Sequence, residues 1–96
     1  MKAVFHPEAR LELTEAARWY NGRSRGLGTD FRREVQAAVT RIKANPEGFG
    51  LLEGDVRCCL VNRFPYGILY EILPKQISIV AVLHLHRRPG YWRDRL

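Results

Sequence analysis

Lysine is scarce in this chain. Of sixteen basic residues only Lys2, Lys43 and Lys75 are lysines, which leaves thirteen arginines and a formal charge of +6. A merely solubilising surface has no need of such a bias. Arginine at this density favours bidentate contact with phosphates or carboxylates, so RNA and an acidic protein partner are both in view. Cysteine is nearly absent as well. Cys58 and Cys59 are adjacent, and neighbours on a strand point to opposite faces, so a disulfide between them would be strained. That excludes a disulfide scaffold and fits reduced thiols in a reducing cytoplasm. No stretch approaches the roughly 20 apolar residues of a membrane-spanning helix. The start, Met1 to Pro7, reaches a proline without a signal-peptide apolar run, so a cytoplasmic protein is expected.

At 96 residues the chain makes one domain, 1–96, with roughly 60–65% of its unfolded surface buried. There is no room for a separate cofactor domain, and no cofactor is expected. The composition, 46% hydrophobic and 27% charged, is that of a folded globular protein.

The most distinctive stretch is the end. An apolar strand, Ile77 to Leu83, runs into His84-Leu85-His86-Arg87-Arg88-Pro89-Gly90-Tyr91-Trp92-Arg93. Imidazoles, guanidiniums, a phenol and an indole thus collect at one sheet edge, where such groups can hold phosphate, stack on bases or move protons.

The pattern predicts strand, helix, helix and three strands. Lys2–Phe5 is a first strand, and Pro7 opens a helix whose apolar face is Ala9, Leu13, Ala16, Ala17 and Tyr20. Glu8, Glu12, Glu15 and Arg18 fall on its opposite, outer side. Asn21-Gly22 and Gly26-Leu27-Gly28 read as the link to a second helix starting near Thr29, with the stripe Phe31, Val35, Ala38, Val39 and Ile42. Asn45-Pro46 ends it. After a glycine-containing loop to Asp55, strands are predicted at Val56–Phe64, Ile68–Leu73 and from Ile77 onward. The fold class is α+β: an N-terminal strand and a helical hairpin packed on a small, mainly antiparallel sheet. Its open face is expected to carry Arg57 and Arg63.

Pro7-Glu8-Ala9, Ala16-Ala17-Arg18-Trp19-Tyr20, Gly26-Leu27-Gly28 and Asn45-Pro46-Glu47 together resemble the RelE/ParE superfamily of bacterial toxins. Arg63-Phe64-Pro65-Tyr66 and the ending His84-x-x-Arg87-x-Pro89-x-Tyr91-Trp92 complete the likeness. The order of these pieces over nearly the whole chain carries the resemblance, which looks closer to the ParE-like, plasmid-stabilisation branch. It implies a toxin of a type II toxin–antitoxin system, neutralised by a cognate acidic antitoxin. Operator DNA would be contacted only through that antitoxin.

In the ParE-like branch the target is DNA gyrase, and binding alone carries the effect. In the RelE-like branch the target is messenger RNA on the ribosome. Metal-independent RNA cleavage needs a base, an acid and cations for the phosphorane charge. His84, His86 and Tyr91 are the candidate catalytic groups for that alternative. Arg57, Arg63, Arg87, Arg88 and Trp92 are the candidate binding residues under either branch. A further alternative is an inactive interaction module. Each candidate also has a plainer use: the histidines as a hydrogen-bonded pair without a metal, and Tyr91 and Trp92 as anchors packing back on the sheet.

Overall fold

Pro7 sets the start of the first helix, because its missing N–H and fixed φ suit the first helical position. His6 caps that end, its Nδ1 accepting from the Glu8 N–H at 3.1 Å. The computed structural model describes all residues, Met1–Leu96. In it β1 spans Lys2–Phe5, α1 spans Pro7–Arg23 and α2 spans Leu27–Ala44. Both predicted helical stripes are turned inward, Ala9, Leu13, Ala16 and Ala17 from α1 and Phe31, Val35, Ala38, Val39 and Ile42 from α2.

The link between the helices differs from expectation. Asn21-Gly22 does not interrupt α1, and α2 begins at Leu27 rather than near Thr29. The Asn21 side-chain oxygen accepts from the Gly28 N–H at 2.7 Å. Asn21 therefore caps α2 from inside α1, and the connection shrinks to Ser24–Gly26. Gly28 lets the helices approach there, since a Cβ at that position would run into the Ala17 carbonyl.

Four strands follow: β2 (Leu51–Glu53), β3 (Val56–Leu60), β4 (Tyr66–Ile72) and β5 (Gln76–His84). They form one sheet in the order β1-β5-β4-β3-β2. Only β1 and β5 run parallel. The α+β architecture is therefore as expected, with β2 added from within the glycine-containing loop. Three residues with exposed side chains, irregularly paired to β3, leave no periodic pattern to detect.

Two side-chain placements overturn the sequence reading. First, β3 stops at Leu60 rather than Phe64, and Arg63 adopts a left-handed backbone with φ 71, which a strand does not allow. Second, the sheet faces are inverted. Cys59 and Val61 lie under the helices with Ile68, Tyr70 and Ile79. Arg57 shares that side, so it is not on the open face. The outer face carries Val56, Leu69, Val80 and Ala81, and Trp92 covers it in a second cluster.

A β-bulge in β5 explains how Val80 and Ala81 both point outward. Leu69 pairs with Ala81 while its neighbour Tyr70 pairs with Ile79, leaving Val80 as the extra residue. Because strand side chains alternate, one inserted residue exchanges the faces of everything beyond it. Ile77, Ile79 and Val82 enter the main core. His84 then falls on the helix side, paired across the ladder with Tyr66.

Replacing Gly28 with alanine should destabilise the fold by about 2 kcal/mol, the scale of forced overpacking. Urea unfolding of the purified variant measures it, and an unchanged midpoint would mean that the helices separate there without cost.

Candidate functional site

The side chain that organises the functional edge is Glu12, which the helical pattern places outward among Glu8, Glu15 and Arg18. Its side chain is only 13% exposed. One oxygen accepts from the Val82 N–H at 3.0 Å, just past the bulge. The other accepts from the Tyr91 hydroxyl at 2.6 Å. Arg95, itself 10% exposed, spans both oxygens at 2.9 and 3.1 Å and also donates to the Val80 carbonyl at 3.1 Å. Arg87 stands 3.8 Å away. A carboxylate from α1 thus takes the position of a neighbouring strand beside β5 and fastens the C-terminal segment across it.

Nothing in the Glu12 pattern reveals this beforehand. The usable signal was at the other end: Arg95 and Tyr91 in a short tail require an acceptor if they are to be buried.

That arrangement fixes what Tyr91 can do. Burial first, then its hydrogen bond to Glu12, pushes the phenol well above its ordinary value. Arg87 lies over the ring at 4.0 Å and Arg95 at 5.1 Å. The proton is held between oxygens of the same molecule. Gly90, at φ 77, makes the turn that brings Tyr91 and Trp92 back toward the sheet. Trp92 is 2% exposed in the outer-face cluster, so its ring has no free face on which a base can stack.

The histidines lie elsewhere. His84 closes β5 with its ring 5.1 Å from Tyr66. Its Nδ1 accepts from the His86 N–H at 3.1 Å, and the two imidazole centroids are 5.3 Å apart. No third metal-ligating side chain joins them. His84 lines a hollow with Trp19, Tyr20, Pro65 and Tyr66. Tyr91 lines a different one with His6, Glu8, Arg87, Arg88, Asp94 and Arg95. Of the three candidate catalytic groups, His84 and Tyr91 therefore face different hollows, and the exposed His86 lines neither.

The four candidate arginines also separate. Arg57 is half-buried and donates to the Glu47 and Phe49 carbonyls at 3.3 and 2.7 Å, tying the loop after α2 to β3. Arg63 is exposed, 3.6 Å from Asp30, with its guanidinium 5.4 Å from the Phe64 ring. Arg87 and Arg88 are exposed, and Arg88 makes no ion pair or side-chain hydrogen bond within the chain. Both cysteine thiols are pushed up by burial and stay protonated.

Removing the Glu12 carboxylate with Glu12→Ala leaves Arg95 without its partner and should cost about 3 kcal/mol. Trp92 emission should shift to the red as the tail detaches, and an unshifted spectrum with full stability would refute the latch. Tyr91→Phe isolates one part of it. At neutral pH the lost bond to a carboxylate should cost about 2 kcal/mol. The unfolded phenol ionises near pH 10, whereas the folded one keeps its proton. The Tyr91 contribution is thus complete below about pH 10 and is lost as pH rises above it. Urea titrations of both proteins between neutral and alkaline pH should show their difference shrinking above that point. A constant difference would contradict the assignment.

Comparison with known proteins places this geometry. The family described as "ParE toxin of type II toxin-antitoxin system, parDE" matches residues 3–89. No curated protein matches the sequence. Among solved structures the chain is similar to one titled "Chromosomal ParDE TA system from P. aeruginosa", with a TM-score of 0.69 and 18% identity. The likeness covers 90% of this chain and 97% of that chain. At that identity it speaks for the fold, while the family match spans almost every element described above. This chain belongs to the ParE toxin family of type II toxin–antitoxin systems.

Proposed function

We propose that this toxin acts by binding DNA gyrase and blocking replication in the cytoplasm, without cutting RNA. The observation that carries the reading is the immobilised Tyr91. A general acid must release its proton to a leaving group at working pH, whereas this phenol is raised far above neutrality and already bonded to Glu12. The candidate base His84 opens into another hollow. Family membership supports the same reading, since gyrase inhibition is the ParE-like mode. No helix is long and apolar enough to cross a membrane.

The antitoxin is proposed to lie along a groove of about 650 Å³ between β1 and the helices. Phe5, Leu13 and Val39 supply apolar lining, and Arg10, Arg32 and Lys43 supply positive charge. β1 pairs only with β5, so its other edge is free to accept a strand. An acidic segment with alternating apolar residues satisfies all three features.

Pulse-labelling after induction tests the target. DNA synthesis should fall first, and purified toxin should inhibit gyrase supercoiling, with His84→Ala remaining toxic. Early collapse of translation with replication spared, and its abolition by His84→Ala, would replace gyrase with the ribosome. For the groove, Arg32→Glu combined with Lys43→Glu should weaken antitoxin binding by about tenfold or more, because charge-complementary contacts become repulsive. Unchanged affinity would move the antitoxin to another face.

A further inference from the structure

Trp19 is the largest side chain the fold leaves outside. It is 56% exposed on α1, although burying an indole would stabilise so small a core. It forms one wall of an open notch of about 470 Å³, completed by Tyr20, Pro65, Tyr66 and His84. That volume lies within the roughly 300–1,000 Å³ of small-ligand sites.

The rings form a continuous run. Trp19 meets Tyr20 at 5.1 Å, Tyr20 meets Tyr66 at 6.2 Å, Tyr66 meets His84 at 5.1 Å, and His84 meets His86 at 5.3 Å. At one end the Arg23 guanidinium lies 4.5 Å above Trp19. Beside the run, Arg63 borders Phe64, which packs edge-on against Tyr20 at 4.9 Å.

The polar groups here are as informative as the rings. Tyr70 and Tyr91 have hydrogen-bond partners in the chain. The hydroxyls of Tyr20 and Tyr66 have none, yet neither is sealed from solvent. Burial pushes both phenols up, so they remain neutral donors and acceptors at the notch. No carboxylate lines it. Arg63 sits at φ 71, in the left-handed region that non-glycine residues rarely adopt. Strain of this kind persists where the placement of a side chain is used.

We propose that the notch binds a nucleobase, stacked among Trp19, Tyr66 and His84, with the attached phosphate reached by Arg23 and Arg63. An aliphatic ligand would use the rings but not the two unpartnered hydroxyls, nor the flanking cations Arg23 and Arg63, the latter also 3.6 Å from Asp30. A base carries a flat π-face, hydrogen-bonding edges and an anionic backbone, and so uses all of them. The same chemistry is presented by a free nucleotide and by a single strand of nucleic acid. The site is distinct from the Glu12 latch and from the antitoxin groove, and the inference does not depend on gyrase being the target.

Tryptophan emission tests it on the purified chain. Trp92 is 2% exposed, so quenching by a small ligand reports Trp19. AMP and an oligoadenylate of about eight nucleotides are titrated separately, and calorimetry repeats both with Trp19→Ala and His84→Ala. Saturable quenching, weakened by about tenfold in the variants, is expected, since one stacked base is worth that much. Binding of both probes identifies a nucleotide site, and binding of the oligoadenylate alone identifies a strand site. Either result supports the proposal. No saturation by either probe through the millimolar range overturns it. Oligoadenylate affinity equal in parent and variants also overturns it, by assigning the binding to the general basic surface. So does a notch that loses antitoxin affinity on substitution while never binding nucleotide, because its occupant is then a protein.

Discussion

One carboxylate holds three parts of this molecule together. Glu12 reaches from α1 to the Val82 N–H, the Tyr91 hydroxyl and the Arg95 guanidinium. Each partner needs it for a different reason. The Val82 N–H faces the side where β1 has already ended, so without Glu12 the ladder would leave a donor unpaired beside the core. Arg95 is almost enclosed and requires a counter-charge. The tail has only a short 3-10 turn, Arg93–Arg95, and so cannot hold itself in place by local structure. Fastened at Tyr91 and Arg95, it lays Trp92 over Val56, Leu69 and Val80, giving the sheet a covered outer face. The second cluster thus follows from the latch.

The bulge opposite Tyr70 and Leu69 is the companion device. Had β5 kept strict alternation, Ala81, Leu83 and Leu85 would share the face of Ile77 and Ile79, and His84 would point outward. With Val80 inserted, His84 instead meets Tyr66 and becomes a wall of the aromatic notch. Leu85 is left 46% exposed. The same irregularity brings the Val82 N–H to Glu12, so the latch and the notch have a common geometric origin.

This divides what was legible in the sequence from what was not. Helical stripes such as Phe31, Val35, Ala38, Val39 and Ile42 are local and repeat several times, so each residue supports the same answer. The α+β class and the presence of β1, β3, β4 and β5 were legible from their apolar runs, whereas the three-residue β2 and the early end of β3 at Leu60 were not. Which face of β3 meets the helices was not, because Val56, Cys58 and Leu60 are as apolar as Cys59 and Val61. Only the presence of Trp92 over the outer face resolves that ambiguity, and it depends on a contact between residues about eighty positions apart. The bulge left no signature in an unbroken apolar run. Glu12 reads as an exposed helical glutamate until its distant partners are in place. The toxin family was recognisable because it rests on an ordered set of short motifs, but the candidate catalytic groups were grouped by nearness in sequence. His84 and Tyr91 are seven residues apart, and the turn at Gly90 sends them to different hollows.

The arginine bias takes on a different meaning once the contacts are known. Arg57 donates to two carbonyls, Arg93 to both oxygens of Glu53 at 2.5 and 2.7 Å, and Arg95 to Glu12 and the Val80 carbonyl together. An ammonium is a point donor and does not reproduce these fixed forks. Part of the excess of arginine over lysine is therefore an internal construction material, joining a loop, the β2 edge and the tail to the sheet. The Arg93–Glu53 and Arg95–Glu12 pairs are already cancelled within the net charge of +6, and the uncompensated charge is concentrated in places. Arg10, Arg32 and Lys43 border the groove beside β1, Arg23 and Arg63 flank the aromatic run, and Arg88 stands free near the latch. Three separate basic sites thus remain on one small domain, each beside a different kind of apolar or polar surface.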